Sequence, residues 1–185
     1  MLLNFEQSDI TQTRCETLLR QIAAQLTEQQ TMLATAESCT GGGIAYAITA
    51  MPGSSAWFER GFVTYSNLAK QQQLGVARDL LVRFGAVSEE VAAAMARGAL
   101  EHSQADFSVA VTGIAGPDGG AEEKPVGTVC FGWAQRDTEA RTACIKFNGD
   151  RQQVRELSIL TALQGVAELA QQPASPPGHQ HKTGF

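Results

Sequence analysis

Histidine is scarce in this chain, and the few copies are poorly placed for catalysis. Of three histidines in 185 residues, His179 and His181 fall in a proline-rich terminal stretch, and His102 stands near the end of an alanine-rich helical segment. That argues against a Ser-His-Asp triad, a Cys–His pair and a histidine-based metal site. Cysteine is also sparse. Cys15, Cys39, Cys130 and Cys144 are far apart with no C-x-x-C pair, which speaks against structural zinc and against a small disulfide scaffold. Clustered Lys and Arg are missing, and the net charge is −5 with a pI near 5.2. A nucleic-acid-binding surface is therefore not expected, although a small phosphorylated ligand needs only one or two local donors. No apolar run approaches the roughly 20 residues of a membrane span. No leader is visible, since Asn4 and Glu6 follow Met1-Leu2-Leu3 at once. Neither a P-loop nor a dinucleotide fingerprint is present, so no cofactor is expected. These absences point to a cytoplasmic protein with reduced thiols.

What is present is the composition of a globular domain, with 43% hydrophobic and 18% charged residues. The length suits one domain with a full core, placed at 1–170. Helical periodicity covers 9–29, and an apolar run over 31–37 reads as a buried strand ahead of a helix over 41–51. Pro52-Gly53-Ser54-Ser55 breaks the chain. Strand character returns over 57–65, followed by short helices over 67–75 and 77–84, the second stopped by Gly85. Ser88 is a natural N-cap for a helix over 88–103. Residues 107–112 are apolar almost throughout, as in a strand buried on both faces. Strands over 127–135 and 141–147 are close enough to form a hairpin, so at least one pairing is antiparallel. Asp150 caps a last helix to about Ala170, and 171–185 reads as a mobile tail. The order implies an α/β fold: a three-layer α/β/α domain with a mixed sheet of about five strands.

The chemistry concentrates at Ala36-Glu37-Ser38-Cys39-Thr40-Gly41-Gly42-Gly43. Ser38 stands at the carboxyl end of a strand and the amino end of a helix, where ligands of open α/β sheets bind. Helix N-terminal amides lack intrahelical partners and can face a developing oxyanion. Ser38 is a candidate nucleophile. Its neighbour Cys39 reads better as a small packing residue. With histidine set aside, the available bases are in Phe62-Val63-Thr64-Tyr65-Ser66-Asn67-Leu68-Ala69-Lys70. Lys70 could take the serine proton if burial or a neighbouring cation keeps its amine neutral, and Tyr65 could orient it. Spacing alone favours a solvated lysine and an edge tyrosine. The loop Thr112-Gly113-Ile114-Ala115-Gly116-Pro117-Asp118-Gly119-Gly120 contains five glycine or proline residues in nine. Its amides can approach a ligand closely, or it can be a plain connection. Lys124 and Arg151 could each reach an anion, or face solvent.

These blocks resemble the CinA C-terminal domain family, the bacterial nicotinamide-nucleotide amidases. So do Gly53-Ser54-Ser55-Ala56-Trp57-Phe58, Gly85-Ala86-Val87-Ser88 and Lys124-Pro125-Val126-Gly127-Thr128-Val129. The resemblance spans about 15–170. It implies hydrolysis of the carboxamide of nicotinamide mononucleotide to nicotinate mononucleotide and ammonia, in pyridine nucleotide salvage, by a metal-free Ser/Lys mechanism. Carried onto this chain, Ser38 is the nucleophile, Lys70 the base and Tyr65 a supporting hydrogen-bonding group. Thr40, Gly41 and Gly42 would supply oxyanion donors. Thr112, Gly113, Gly116, Gly119, Lys124 and Arg151 would line the nucleotide site, the phosphate falling to Lys124 or Arg151. The resemblance also implies a homodimer. The tail has no family counterpart, and the larger amino-terminal domain of longer members is not expected to contribute. Two alternatives stay open: a non-catalytic nucleotide-binding homologue, and a short-chain dehydrogenase, which the five-residue Tyr–Lys gap and the missing fingerprint oppose.

Overall fold

The apolar periodicities become five strands and six α-helices in the computed structural model, which describes residues 3–171. In chain order these are α1 (Leu3–Gln29), β1 (Leu33–Glu37), α2 (Gly43–Thr49), β2 (Phe58–Val63), α3 (Asn67–Leu74) and α4 (Arg78–Phe84). There follow α5 (Glu89–Glu101), β3 (Phe107–Gly113), β4 (Thr128–Gln135), β5 (Arg141–Lys146) and α6 (Arg151–Ala170). The strand order is β2-β1-β3-β4-β5. β1 runs parallel to β2 and β3, whereas β3–β4 and β4–β5 are antiparallel. The mixed five-stranded α/β fold read from the sequence is the one observed. The tail expected over 171–185, with His179 and His181, lies from residue 172 onward outside the described residues.

Alternation along the central strands builds two cores. Leu33, Phe107, Val109, Val111, Phe131 and Trp133 face a layer formed by α1, α2 and α6. Ala34, Ala36, Ala110 and Ala134 face α5, joined by Leu74 of α3 and Leu81 of α4. The second face is made of small residues, so α5 approaches the sheet closely. Ser108 Oγ donates to the Ala96 carbonyl at 2.7 Å. A Cβ on Gly132 would collide with the Ala92 carbonyl.

Several boundaries move, for local reasons. Ser66 Oγ caps α3 by accepting from Ala69 N at 3.0 Å. Ser88 caps α5 as expected, and Asp150 forms a full capping box with Gln153 at α6. α2 starts at Gly43 rather than 41, because Gly41 and Gly42 adopt left-handed backbone with φ of 61° and 90°. The expectation of four reduced thiols is corrected. Cys130 and Cys144 stand directly opposite each other on β4 and β5 and are joined by a disulfide, leaving Cys15 and Cys39 free. Hairpin register creates that juxtaposition, and no short Cys spacing announces it. None of the described helices is long and apolar enough to cross a membrane.

α3 is held by a contact that only glycine permits. A Cβ on Gly98 of α5 would land on the carbonyl oxygen of Leu74 at the end of α3. Gly98→Ala is expected to destabilise the protein by about 1–3 kcal/mol through overpacking. That outweighs the roughly 1 kcal/mol gain in helix propensity. Urea unfolding of the variant measures the balance.

Candidate active site

The carboxyl ends of β1, β2 and β3 converge where the chain crosses from one side of β1 to the other, the crevice that open α/β sheets use for ligands. Ser38 follows β1 directly. Its N–H donates to the Val111 carbonyl at 2.9 Å, and Thr64 N donates to the Glu37 carbonyl at 2.8 Å. The residue is thus pinned between its two neighbouring strands. Lys70 lies on the buried face of α3, one turn before Leu74. Its Nζ is 2.9 Å from Ser38 Oγ and donates to the Thr64 carbonyl at 2.8 Å. Lys70 is 1% exposed and Ser38 8%.

Burial lowers the Lys70 pKa to about 8, offset in part by the adjacent Cys39. None of the ion pairs among the described residues involves Lys70. Desolvation without a counter-ion favours the neutral amine, the form that can accept a serine proton. Cys39 moves the other way: burial raises its thiol to about 11. It therefore stays protonated near neutral pH, in keeping with a packing role.

A cavity of about 270 Å³ opens over this pair. Of the residues singled out in the sequence, it brings together Ser38, Lys70, Tyr65, Thr112, Gly113, Gly116, Gly119 and Arg151. Arg151, the first residue of α6, crosses the mouth: Nη1 donates to the Gly116 carbonyl at 2.6 Å and Nη2 to Tyr65 Oη at 3.2 Å. The Tyr65 hydroxyl is therefore held by Arg151, with no hydrogen bond to Ser38 or Lys70. Thr112 Oγ1 donates to the Ala86 carbonyl at 2.8 Å, which fixes the Ala86-Val87 wall of the cavity.

Thr40, Gly41, Gly42 and Lys124 do not line the cavity. Lys124 Nζ donates instead to the Phe84 carbonyl at 2.7 Å, at the end of α4. That interaction suits a cation at a helix C-terminus. The expectation of free amides at the start of α2 is also corrected. The fully buried Glu37 carboxylate accepts from Ile44 N at 3.0 Å and from Ala45 N at 2.9 Å. It thereby satisfies orphan donors of the first turn of α2; of the Thr40–Gly42 amides expected at the oxyanion, that of Gly41 donates to the Ser38 carbonyl at 3.0 Å.

Glu37 and Arg155 are the residues that sequence reasoning passed over. Arg155, one turn along α6 from Arg151, donates from Nη2 to the Thr40 carbonyl at 2.9 Å. It clamps the Ser38–Gly41 turn from outside, while Glu37 fastens that turn to α2 from within. A carboxylate closing an otherwise apolar strand was the available signal for Glu37. For Arg155 the signal was the four-residue spacing from Arg151 on one helix face.

The family model described as CinA C-terminal domain matches residues 15–170. The chain is 52% identical over 160 residues to the nicotinamide-nucleotide amidohydrolase PncC of Pseudomonas putida, covering 85% of this chain and 93% of that protein. It is 53% identical over 147 residues to the protein of the same name from Escherichia coli (strain K12), covering 80% and 89%. Among solved structures, the competence/damage inducible protein CihA from Agrobacterium tumefaciens matches with a TM-score of 0.83 at 46% identity. That match covers 86% of this chain and 96% of the other. The CinA superfamily protein ECK1530/EC0983 from Escherichia coli matches with a TM-score of 0.80 at 40% identity, covering 85% and 90%.

Burial of Lys70 has a consequence for stability that is independent of any reaction. Its pKa falls from 10.5 when unfolded to about 8 when folded. Between those values the unfolded chain binds more protons, so stability rises with pH across this window. The penalty is complete below about pH 8. Relative to Lys70→Met, the wild type is expected to gain on the order of 2–3 kcal/mol over that window. Paired denaturant titrations should show a flat difference below it.

Proposed function

The chain belongs to the CinA C-terminal domain family, and from that premise we propose that it is a nicotinamide-nucleotide amidase working by Ser/Lys chemistry. The observation that carries this reading is the buried 2.9 Å contact between Ser38 Oγ and Lys70 Nζ. The names of its relatives supply the substrate class, a nicotinamide nucleotide; we take it to be nicotinamide mononucleotide, converted to nicotinate mononucleotide and ammonia in pyridine nucleotide salvage, in the cytoplasm.

Ser38 Oγ attacks the amide carbon as neutral Lys70 takes the hydroxyl proton. The α2 amides are occupied by Glu37. The N–H of Cys39, beside the nucleophile and at the cavity wall, is the donor assigned to the tetrahedral oxyanion. Protonated Lys70 returns its proton to the departing nitrogen as the C–N bond breaks, releasing ammonia and leaving an ester on Ser38. Lys70, neutral again, deprotonates a water that attacks the ester carbon. The ester bond breaks, and the proton on Lys70 passes back to Ser38 Oγ. Arg151, the guanidinium in the cavity lining, is assigned the phosphate, and Lys124 is released from that role by its bond to Phe84.

The wild type should release one ammonia per nucleotide consumed. Ser38→Ala and Lys70→Ala should each lose about three orders of magnitude or more in kcat. Below the Lys70 pKa of about 8, kcat/KM should rise about tenfold per pH unit and then level off. Nucleotide binding without ammonia release would mark a binding module instead. Activity surviving both substitutions would overturn the Ser/Lys assignment.

A further inference from the structure

The cavity lining carries one fixed charge of each sign besides Lys70: Arg151 and Asp118. Neither takes part in an ion pair among the described residues. Arg151 hydrogen-bonds only to neutral oxygens, the Gly116 carbonyl and the Tyr65 hydroxyl. Asp118 is the only carboxylate in the lining, since Glu37 is sealed behind Ser38 on the α2 amides. It lies on the same loop as Gly116 and Gly119, which follows β3 to the mouth of the site. Apart from Arg151, the other cation near that loop, Lys124, is bound to Phe84 outside the cavity.

We infer that Asp118 is a specificity residue: it selects pyridine carboxamides whose ring nitrogen is substituted and cationic over those whose ring is neutral. This inference rests on the amidase reading and deepens it. A glycosidic bond at the ring nitrogen makes that nitrogen quaternary and spreads a positive charge over the ring bearing the carboxamide. The free base has no such charge at neutral pH. A nicotinamide nucleotide is thus cationic at the ring and anionic at the phosphate, and the cavity offers one carboxylate and one guanidinium. Asp118 would repel a phosphate, so its place is at the ring and Arg151 takes the other end. Above about pH 8, where most of Lys70 is neutral, no like charge at Lys70 opposes the ring.

Two probes isolate the ring charge without phosphate or ribose: 1-methylnicotinamide, a cation, and nicotinamide, which is neutral. NMR titration of the wild type above about pH 8 is expected to give a Kd for the cation roughly 1.5- to fivefold below that for the neutral base, the range for a solvent-accessible ion pair. In Asp118→Asn the two Kd values should converge, through weaker binding of the cation alone, and Asp118→Glu should restore the gap. KM for the nucleotide should rise by a similar factor in Asp118→Asn, with kcat little changed. The same spectra report whether each variant is folded, and the Glu variant carries the test if the Asn variant is not. Equal Kd values in the wild type, or a gap that persists in Asp118→Asn, would overturn the inference. Failure of the amidase reading looks different: the Kd gap is present, but no ammonia appears from the nucleotide.

Discussion

Everything at this site depends on an amine that has lost its water and gained no counter-ion. A lysine with 1% exposure carries a desolvation cost that is large when charged and small when neutral. Packing it beside a carboxylate would have restored the charge and removed the base. The fold instead offers the Thr64 carbonyl and the Ser38 hydroxyl, partners that accept or share a proton without stabilising a full positive charge. The same burial that destabilises the protonated fold therefore favours the neutral amine that the proposed mechanism needs. Reactivity and instability are here two descriptions of one energy, as is common where function requires a strained environment.

Keeping that amine against its serine requires three elements to stay in register, and small residues achieve it. α3 is pressed to α5 through Gly98, α5 to the sheet through the small face at Ala110 and Gly132, and Ser38 is held between Val111 and the β2 end by backbone hydrogen bonds. From the opposite layer, the first turns of α6 reach across with two arginines. Arg151 ties Tyr65 to Gly116, and Arg155 ties the turn at Thr40. Each clamp is a charged donor on a backbone carbonyl or a hydroxyl, stronger than a neutral hydrogen bond and geometrically specific. The Ser38–Lys70 geometry is thus fixed from both faces of the sheet.

The features legible in the sequence were those carried by local pattern. Strands with alternating or continuous apolar runs, the Ser88 and Asp150 caps, and the Gly85 stop all have short-range signatures, and these appear where the pattern put them. Ser38 and Lys70 were nominated by elimination and by family likeness, because thirty-two residues of separation leave no periodic trace. What escaped was set by register and long-range approach. The pairing of Cys130 with Cys144 follows from how β4 meets β5. The capture of Lys124 by Phe84 follows from where α4 ends. Glu37 was misjudged indirectly: a helix N-terminus reads as an empty anion site until the preceding strand is seen to supply its own carboxylate.

That last point governs the electrostatics of the cavity. Glu37 takes the Ile44 and Ala45 amides at the start of α2, so its negative charge offsets the positive end of that helix. Charge in the site is then left to discrete side chains, one guanidinium and one carboxylate around an amine that becomes neutral above about pH 8. A substrate that brings its own positive ring would be repelled by a protonated lysine at contact distance, in a medium where Coulomb terms are poorly screened. In the proposed reaction, lowering the Lys70 pKa would therefore act twice, once to free a lone pair and once to admit the cation. A Ser/Lys site without that burial would lose both binding and proton transfer below its ordinary pKa of 10.5, whereas burial moves that loss down to about pH 8.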